Sequence, residues 1–314
     1  MSIELIGIAG AGVMGGGIAQ LFAAHGKSVR LWDAAPGAGE RALSAIRARL
    51  EASAAKGHLP AAEIGPILQR IKVARELEEL AGSELAVEAI SEDLRAKRGL
   101  LAALSAVVAA PAPIGTNTSS LSVRALARSL RAPERFLGMH FFNPPTRLEL
   151  VELVPAPGTS EEALARVREL LEACGKSLVT VRDSPGFIVN RLLLLMINEA
   201  ARMVDQGVAS PEDIDAAMRL GALHPAGPLA VADLIGLDTC SRILASLRRG
   251  LRNPSFRAAR GLRRRVAEGR LGRKSGGGFF RPPPLPAGAG PGSEPGPAPH
   301  PAAGAGQGSG RRAY

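Results

Sequence analysis

The chain has 314 residues, 46% of them hydrophobic and 22% charged, with a net charge of +10. A prior of roughly one domain per 150 residues suggests two cores, and the apolar content excludes a chain that is disordered throughout. Two cysteines, Cys174 and Cys240, show neither metal-ligand spacing nor the even framework of a small secreted protein. That excludes a disulfide scaffold and reads as a reducing cytoplasm with no metal centre.

In chain order, residues 3–9 form an apolar run that reads as a buried strand. It empties into Gly10-Ala11-Gly12-Val13-Met14-Gly15, a G-x-G-x-x-G turn heading a helix expected over 14–24. Such a turn lets a pyrophosphate approach bare backbone. A second short strand over 28–32 ends at Asp33, 18 residues beyond Gly15, where a carboxylate can accept hydrogen bonds from an adenosine ribose. Ala34-Ala35-Pro36 follows, with no arginine beside Asp33 to hold a 2′-phosphate, so the pattern reads as NAD more than NADP. A membrane span over 5–24 is the competing reading, because Gln20 is its one polar side chain and Gly12-x-x-x-Gly16 imitates a helix-packing motif. Six glycines in that window argue against a continuous span, and the run resembles no secretory signal.

An alanine- and arginine-rich helical pair is expected next, over 37–55 and 60–71, then a strand over 84–90 and a helix over 94–107. Strands recur at 114–116, 136–140, 148–154 and 177–181. Between the last two, Ser160 caps a helix whose Ala163, Leu164, Val167, Leu170 and Leu171 repeat with helical period until Gly175. The alternation predicts an α/β fold: a Rossmann-like, doubly wound, mostly parallel sheet over 1–183, carrying the helical pair as an insertion. After Asp183-Ser184-Pro185-Gly186 only helical periods occur, at 187–206, 211–220, 229–234, 239–251 and 256–268, which predicts an all-helical domain over 184–280. Residues 242–274 hold twelve Arg or Lys against the one acid Glu268, so the rest of the chain is close to neutral. The cluster reads as a solvated face with weak, salt-labile affinity for nucleic acid and no specific nucleic-acid partner. Residues 281–314 are proline, alanine and glycine with few large apolar side chains, a composition expected to stay disordered.

Candidate chemistry gathers at strand ends. Thr116-Asn117-Thr118-Ser119-Ser120 follows one strand, at the carboxyl edge where open α/β sheets bind ligands. His140 ends another, 21 residues past Ser119; Glu152 follows twelve residues on, and Asn190 lies near the start of the second domain. A histidine and a carboxylate from neighbouring strand ends can make a general base with an orienting partner, as removal of hydride from an alcohol carbon requires. Each residue also has a structural alternative. A strand-end histidine can be a satisfied core residue, and Ser or Thr beside Asn can build turns or cap a helix, as Ser122 is placed to do. Glu149 and Glu152 fall on opposite faces of a strand, so at most one points into a given site.

The ordered set GIAGAGVMGGGIAQ, VEAISEDLRAK, TNTSS, MHFFNPP, LVELV, DSPGFIVNRL, ALHPAGP, IGLDT and GRLGRKSGGGFF resembles the L-3-hydroxyacyl-CoA dehydrogenase family, in particular its 3-hydroxybutyryl-CoA dehydrogenases, over residues 3–280. The resemblance implies reversible, NAD-dependent oxidation of a short-chain L-3-hydroxyacyl-CoA to the 3-oxoacyl-CoA. His140 would be the general base, Glu152 its partner acid, and Ser119 and Asn190 ligands of the reacting oxygen or thioester end. NAD contacts are implied at Gly10, Gly12, Gly15, Asp33, Glu92, Lys97, Asn117, Ser119, Asn143 and Lys274. Also implied are a homodimer through the helical domain, closure of the two domains over the acyl-CoA, and a part for the helical pair in holding the CoA nucleotide. Two further readings stay open: a dehydrogenase of a free 3-hydroxy acid on the same scaffold, and a non-enzymatic NAD- or nucleic-acid-binding protein. Retention of His140, Glu152, Ser119 and Asn190 argues against the latter.

Overall fold

Short aliphatic runs form eight strands of a single sheet in the computed structural model, which describes residues 3–281. The strands are β1 (Leu5–Ala9), β2 (Ser28–Trp32), β3 (Ile71–Val73), β4 (Leu85–Glu88), β5 (Ile114–Thr116), β6 (Phe136–Phe141), β7 (Leu150–Pro155) and β8 (Ser177–Thr180). Their spatial order is β3-β2-β1-β4-β5-β6-β7-β8, and every neighbouring pair is parallel except β6 and β7. The winding reverses between β1 and β4, which opens a crevice beyond their carboxyl ends. The expected tail over 281–314 lies, apart from Arg281, outside the described residues.

Helices cover both faces, as strands buried on both sides require. They are α1 (Val13–Ala24), α2 (Ala38–Ala55), α3 (Ile64–Gln69), α4 (Leu94–Val107), α5 (Val123–Ala127) and α6 (Glu161–Ala173). One core packs α1, α2, α3 and α6 on the sheet through Ile18, Phe22, Ile46, Ile67, Val167 and Leu171. The other packs α4 and α5 through Leu101, Leu104, Val123 and Leu126. The pleat sorts the strand residues: Leu137, Met139 and Phe141 of β6 and Val151 and Leu153 of β7 join the first core, while Phe136 and Val154 join the second. The intervening His140 and Glu152 therefore face the α4–α5 side.

The second domain is all-helical: α7 (Val189–Asp205), α8 (Pro211–Gly221), α9 (Pro228–Ile235), α10 (Leu237–Leu251) and α11 (Arg260–Ala267). Its separate core includes Leu194, Ile197, Leu229, Leu237, Leu244, Leu247 and Leu262. Buried carboxylates anchor backbone here. Asp215 accepts the amides of Leu229 (2.9 Å) and Ala230 (2.8 Å) at the start of α9, and Asp233 accepts those of Phe279 and Phe280 (both 2.9 Å). Among the described residues no helix is long and apolar enough to cross a membrane.

Three elements differ from expectation. The helix expected over 60–71 is a turn at Ala61–Glu63 and the short α3, after which Ile71–Val73 adds an edge strand beside β2. The helix expected over 256–268 is a turn at Pro254–Phe256, an extended stretch, and then α11. The interruption is stabilised from α7: fully buried Asn198 donates to the carbonyls of Ser255 and Arg257 (both 3.0 Å) and accepts from the Ala259 amide (2.8 Å). Finally, Arg265 does not belong to the solvated basic face. It is buried, its guanidinium 4.3 Å from the Phe279 ring centroid and bonded to the carbonyls of Gly278 and Gly261 (both 3.2 Å), whereas the other Arg and Lys of 242–274 are exposed.

Replacing Asn198 with Ala strands the buried Ala259 amide, while the Ser255 and Arg257 carbonyls keep the Arg202 guanidinium as donor (2.6 and 3.0 Å). A stranded buried group costs on the order of 1–3 kcal/mol, so the urea midpoint is expected to fall by the equivalent of about 2 kcal/mol. A variant as stable as the parent would contradict this account of the 254–259 segment.

Candidate active site

At the end of β1 the backbone turns at Gly10, whose φ of +116° favours glycine and whose amide donates to the Trp32 carbonyl at 2.7 Å. A Cβ at Gly15 would lie 1.7 Å from the Gly10 carbonyl oxygen, so α1 reaches its closeness to β1 only with glycine there. A Cβ at Gly12, by contrast, would meet nothing within 4 Å. Gly12 caps α1 without a side-chain hydrogen bond, which leaves open space before the first amides of a twelve-residue helix. Such a helix start favours an anion through its unpaired N–H groups and its dipole. Asp33 faces this turn, one carboxylate oxygen accepting the Ala11 amide (2.7 Å) and the other the Ala35 amide (2.8 Å). The two bonds fix the carboxylate and leave it lone pairs for a diol. No arginine follows Asp33 directly in the chain, but folding brings Arg41 to the Pro36 carbonyl at 3.1 Å.

The loops after β4 and β5 meet at Glu92. Its Oε1 accepts from the Thr118 hydroxyl (2.7 Å), the amides of Ser119 and Ser120 (2.8 Å each) and the Ser120 hydroxyl (3.0 Å). Burial pushes the Glu92 carboxyl up, but Lys97 and these donors together outweigh it and hold the group below the usual carboxylate range. Lys97, expected to touch the cofactor, is fully buried behind that wall. Its Nζ lies 2.7 Å from Glu88 and 3.6 Å from Glu92, and the Thr116 hydroxyl completes Glu88 at 2.6 Å. Asn117 uses its side-chain oxygen to accept the Phe141 amide (3.0 Å), which ties the end of β5 to the end of β6. Asn143 is exposed two residues beyond β6. Lys274 lies in the helical domain, where it pairs with Asp238 at 2.5 Å.

His140 and Glu152 stand directly opposite each other in the antiparallel β6–β7 pair, and both are buried. The His140 Nδ1 is 2.7 Å from Glu152 Oε2. An ionised carboxylate only accepts hydrogen bonds, so Nδ1 carries the proton and Nε2 keeps its lone pair. Oε1 of the same carboxylate accepts the amides of Ile188 (2.9 Å) and Val189 (3.0 Å), at the N-terminus of α7. Burial raises the Glu152 carboxyl, yet the His140 ring and these two amides prevail and keep it below the ordinary value. Glu149, the alternative carboxylate, is exposed outside β7.

Two aromatic rings frame the imidazole: Phe142 at 4.4 Å and Phe187 at 5.5 Å between centroids. Neither was singled out by sequence, although both lie inside the quoted FFNPP and PGF strings. Phe187 has a φ of +50°, uncommon for a residue with a side chain. That turn seats its ring beside His140 and releases the next two amides to Glu152, which is why α7 begins at Val189 and not at 187. One residue on, the Asn190 side-chain Nδ2 donates to the Ser119 carbonyl at 3.3 Å. His140, Glu152, Ser119 and Asn190 are thus gathered around the first turn of α7, while the glycine turn, Asp33 and Glu92 line the strand ends beyond.

Two family models match this chain: 3-hydroxyacyl-CoA dehydrogenase, NAD binding domain, over residues 5–184, and 3-hydroxyacyl-CoA dehydrogenase, C-terminal domain, over residues 186–282. A probable 3-hydroxybutyryl-CoA dehydrogenase of Bacillus subtilis is 43% identical over 280 residues, covering 89% of this chain and 98% of that protein. A 3-hydroxyadipyl-CoA dehydrogenase of Escherichia coli is 39% identical over 285 residues, covering 89% of this chain and 59% of that protein. Among solved structures, the (S)-3-hydroxybutyryl-CoA dehydrogenase of Ralstonia eutropha superposes with a TM-score of 0.85 at 40% identity, over 89% of this chain and 99% of that one. The chain belongs to the 3-hydroxyacyl-CoA dehydrogenase family and is an NAD-dependent oxidoreductase.

Proposed function

We propose that the chain interconverts a short-chain L-3-hydroxyacyl-CoA, of which 3-hydroxybutyryl-CoA is the type, and the corresponding 3-oxoacyl-CoA. The observation that carries this reading is the buried His140–Glu152 pair, held at 2.7 Å on the same sheet as the glycine turn. When bound, NAD supplies the acceptor for the hydride that leaves the hydroxyl-bearing carbon. Gly10 makes the turn, Gly15 lets α1 close on β1, Gly12 leaves space for its pyrophosphate at the α1 amides, and Asp33 receives the ribose hydroxyls. Glu92, Asn117, Ser119 and Asn143 line the remainder of the crevice. Lys97 acts through Glu92, and Lys274 contributes from the helical domain.

His140 Nε2 accepts the hydroxyl proton as the carbon is oxidised, and the charge that develops on the imidazole is stabilised by Glu152. The α7 amides on Glu152 matter here, because they favour the ionised carboxylate that an imidazolium needs as a partner. Ser119 and Asn190 orient the reacting oxygen and the thioester end. In the reverse direction protonated His140 returns the proton. The E. coli relative's name specifies a different acyl group on the same thioester, which supports CoA, and not the acyl chain, as the shared recognition element. Exposed Leu192, Leu220, Leu223 and Leu234, all in the helical domain, support a homodimer formed through it. The buried, free Cys174 and Cys240 suit the cytoplasm.

Reduction of NAD is expected with 3-hydroxybutyryl-CoA and to be absent with the free 3-hydroxy acid, while NADP should support at most roughly a tenth of the efficiency. Turnover of the free acid alone would establish the rival substrate class. His140→Gln should lower kcat by roughly 10² to 10⁴ with NADH affinity retained. Glu152→Gln should also depress kcat, and the double variant should be hardly worse than His140→Gln, because no imidazolium remains to be stabilised. Multiplicative losses in that kinetic cycle would separate the two roles.

A further inference from the structure

One buried cation has no part in the chemistry above. Lys176, between α6 and β8, is 8% exposed and has no carboxylate within ion-pair distance among the described residues. Its Nζ donates to the carbonyls of Pro145 (2.7 Å) and Leu148 (2.9 Å). Both acceptors lie in residues 142–149, the connection that leads from the strand of His140 to the strand of Glu152.

That connection has little means of holding its own shape. Pro144 and Pro145 have no amide to donate, and its internal backbone bonds run from Arg147 (3.0 Å) and Leu148 (3.1 Å) to the Pro144 carbonyl. Packing supplies the second anchor. Pro145 is buried against α1, so close that a Cβ at Gly17 would lie 2.8 Å from its Cδ. The connection is therefore clamped between α1 on one side and a lysine ammonium on the other. Keeping that ammonium out of water is unfavourable, and burial lowers the Lys176 pKa accordingly. The two carbonyls offset the cost, and without the lysine the buried Pro145 carbonyl would be an acceptor lacking a donor.

We propose that Lys176 is a positioning residue for the dinucleotide: it pins residues 142–149 onto α1 and so sets Asn143 at the edge of the cofactor crevice. The assignment rests on the reading of α1 and Asn143 as cofactor contacts. It separates Lys176 from His140 and Glu152, whose mutual geometry is set by strand register and the α7 amides.

The test compares Lys176→Met, which removes both donors, with Lys176→Gln, whose amide keeps two N–H groups. NADH affinity is read by fluorescence titration, and KM for NAD and for the thioester by steady-state kinetics. Lys176→Met should bind NADH about tenfold more weakly, equivalent to about 1.4 kcal/mol, and raise KM for NAD in parallel. KM for the thioester should stay within about twofold, and Lys176→Gln should be intermediate in NADH affinity. Undiminished NADH affinity in folded Lys176→Met, or equal losses for both substrates, would overturn the proposal. Should Lys176→Met not fold, Lys176→Gln carries the decision. Weakened NADH binding with an unchanged thioester KM supports positioning, and parental NADH affinity with a lowered unfolding temperature leaves only a structural role and overturns it. Failure of the parent protein to bind NADH would instead defeat the cofactor reading itself.

Discussion

The carboxylate of Glu152 is where the two domains and the proposed chemistry meet. One oxygen holds the His140 ring and the other accepts two amides from the start of α7. A buried carboxylate with these partners is stabilised only while ionised, and only while the second domain sits where its first helix can donate. The position of the helical domain and the electrostatics of the imidazole are thereby joined at one side chain. Loss of the α7 amides would leave Glu152 buried with half its hydrogen-bonding capacity unmet and a weaker hold on the histidine.

The rest of the architecture makes that junction possible. Reversal of the strand order between β1 and β4 opens the dinucleotide crevice, and the antiparallel turn from β6 to β7 puts a histidine and a glutamate opposite each other. Pleat parity sends both side chains to the α4–α5 face, where Phe187 packs into the same core. A one-residue slip of β7 would turn Glu152 to the opposite face and remove the pair. The loops after β4 and β5 converge on Glu92, whose charge is backed by the buried Glu88–Lys97 pair.

Much of this is legible in the amino-acid sequence where the determinant is local. The glycine turn, the strand ending at Asp33 and the caps at Ser122 and Ser160 depend on residues a few positions apart, and the capping hydrogen bonds are present in the structure. The doubly wound, mostly parallel sheet and the helical second domain follow from alternation of periods. His140 and Glu152 were legible as residue types at strand ends and through the family resemblance. Their antiparallel register is a long-range property that no local pattern carries.

What was not legible depends on partners far along the chain. The 256–268 period reads as one helix, yet Asn198 stabilises an extended stretch within it. Lys97 reads as a cofactor contact and Arg265 as a surface cation until Glu88 in one case, and Phe279 with the Gly278 carbonyl in the other, are brought against them. The left-handed turn at Phe187, and with it the release of two amides to Glu152, has no signal beyond a glycine and an aromatic side by side.

Through its hydrogen bond to Nδ1, Glu152 sets the tautomer of His140. Nitrogen NMR of histidine-labelled protein at neutral pH tests it directly, with the His140 signals assigned among the five histidines by their loss in His140→Gln. A protonated Nδ1 and an unprotonated, pyridine-type Nε2 are expected, with that preference weakened in Glu152→Gln. A ring protonated at Nε2 in the parent protein, or a tautomer indifferent to Glu152→Gln, would contradict it.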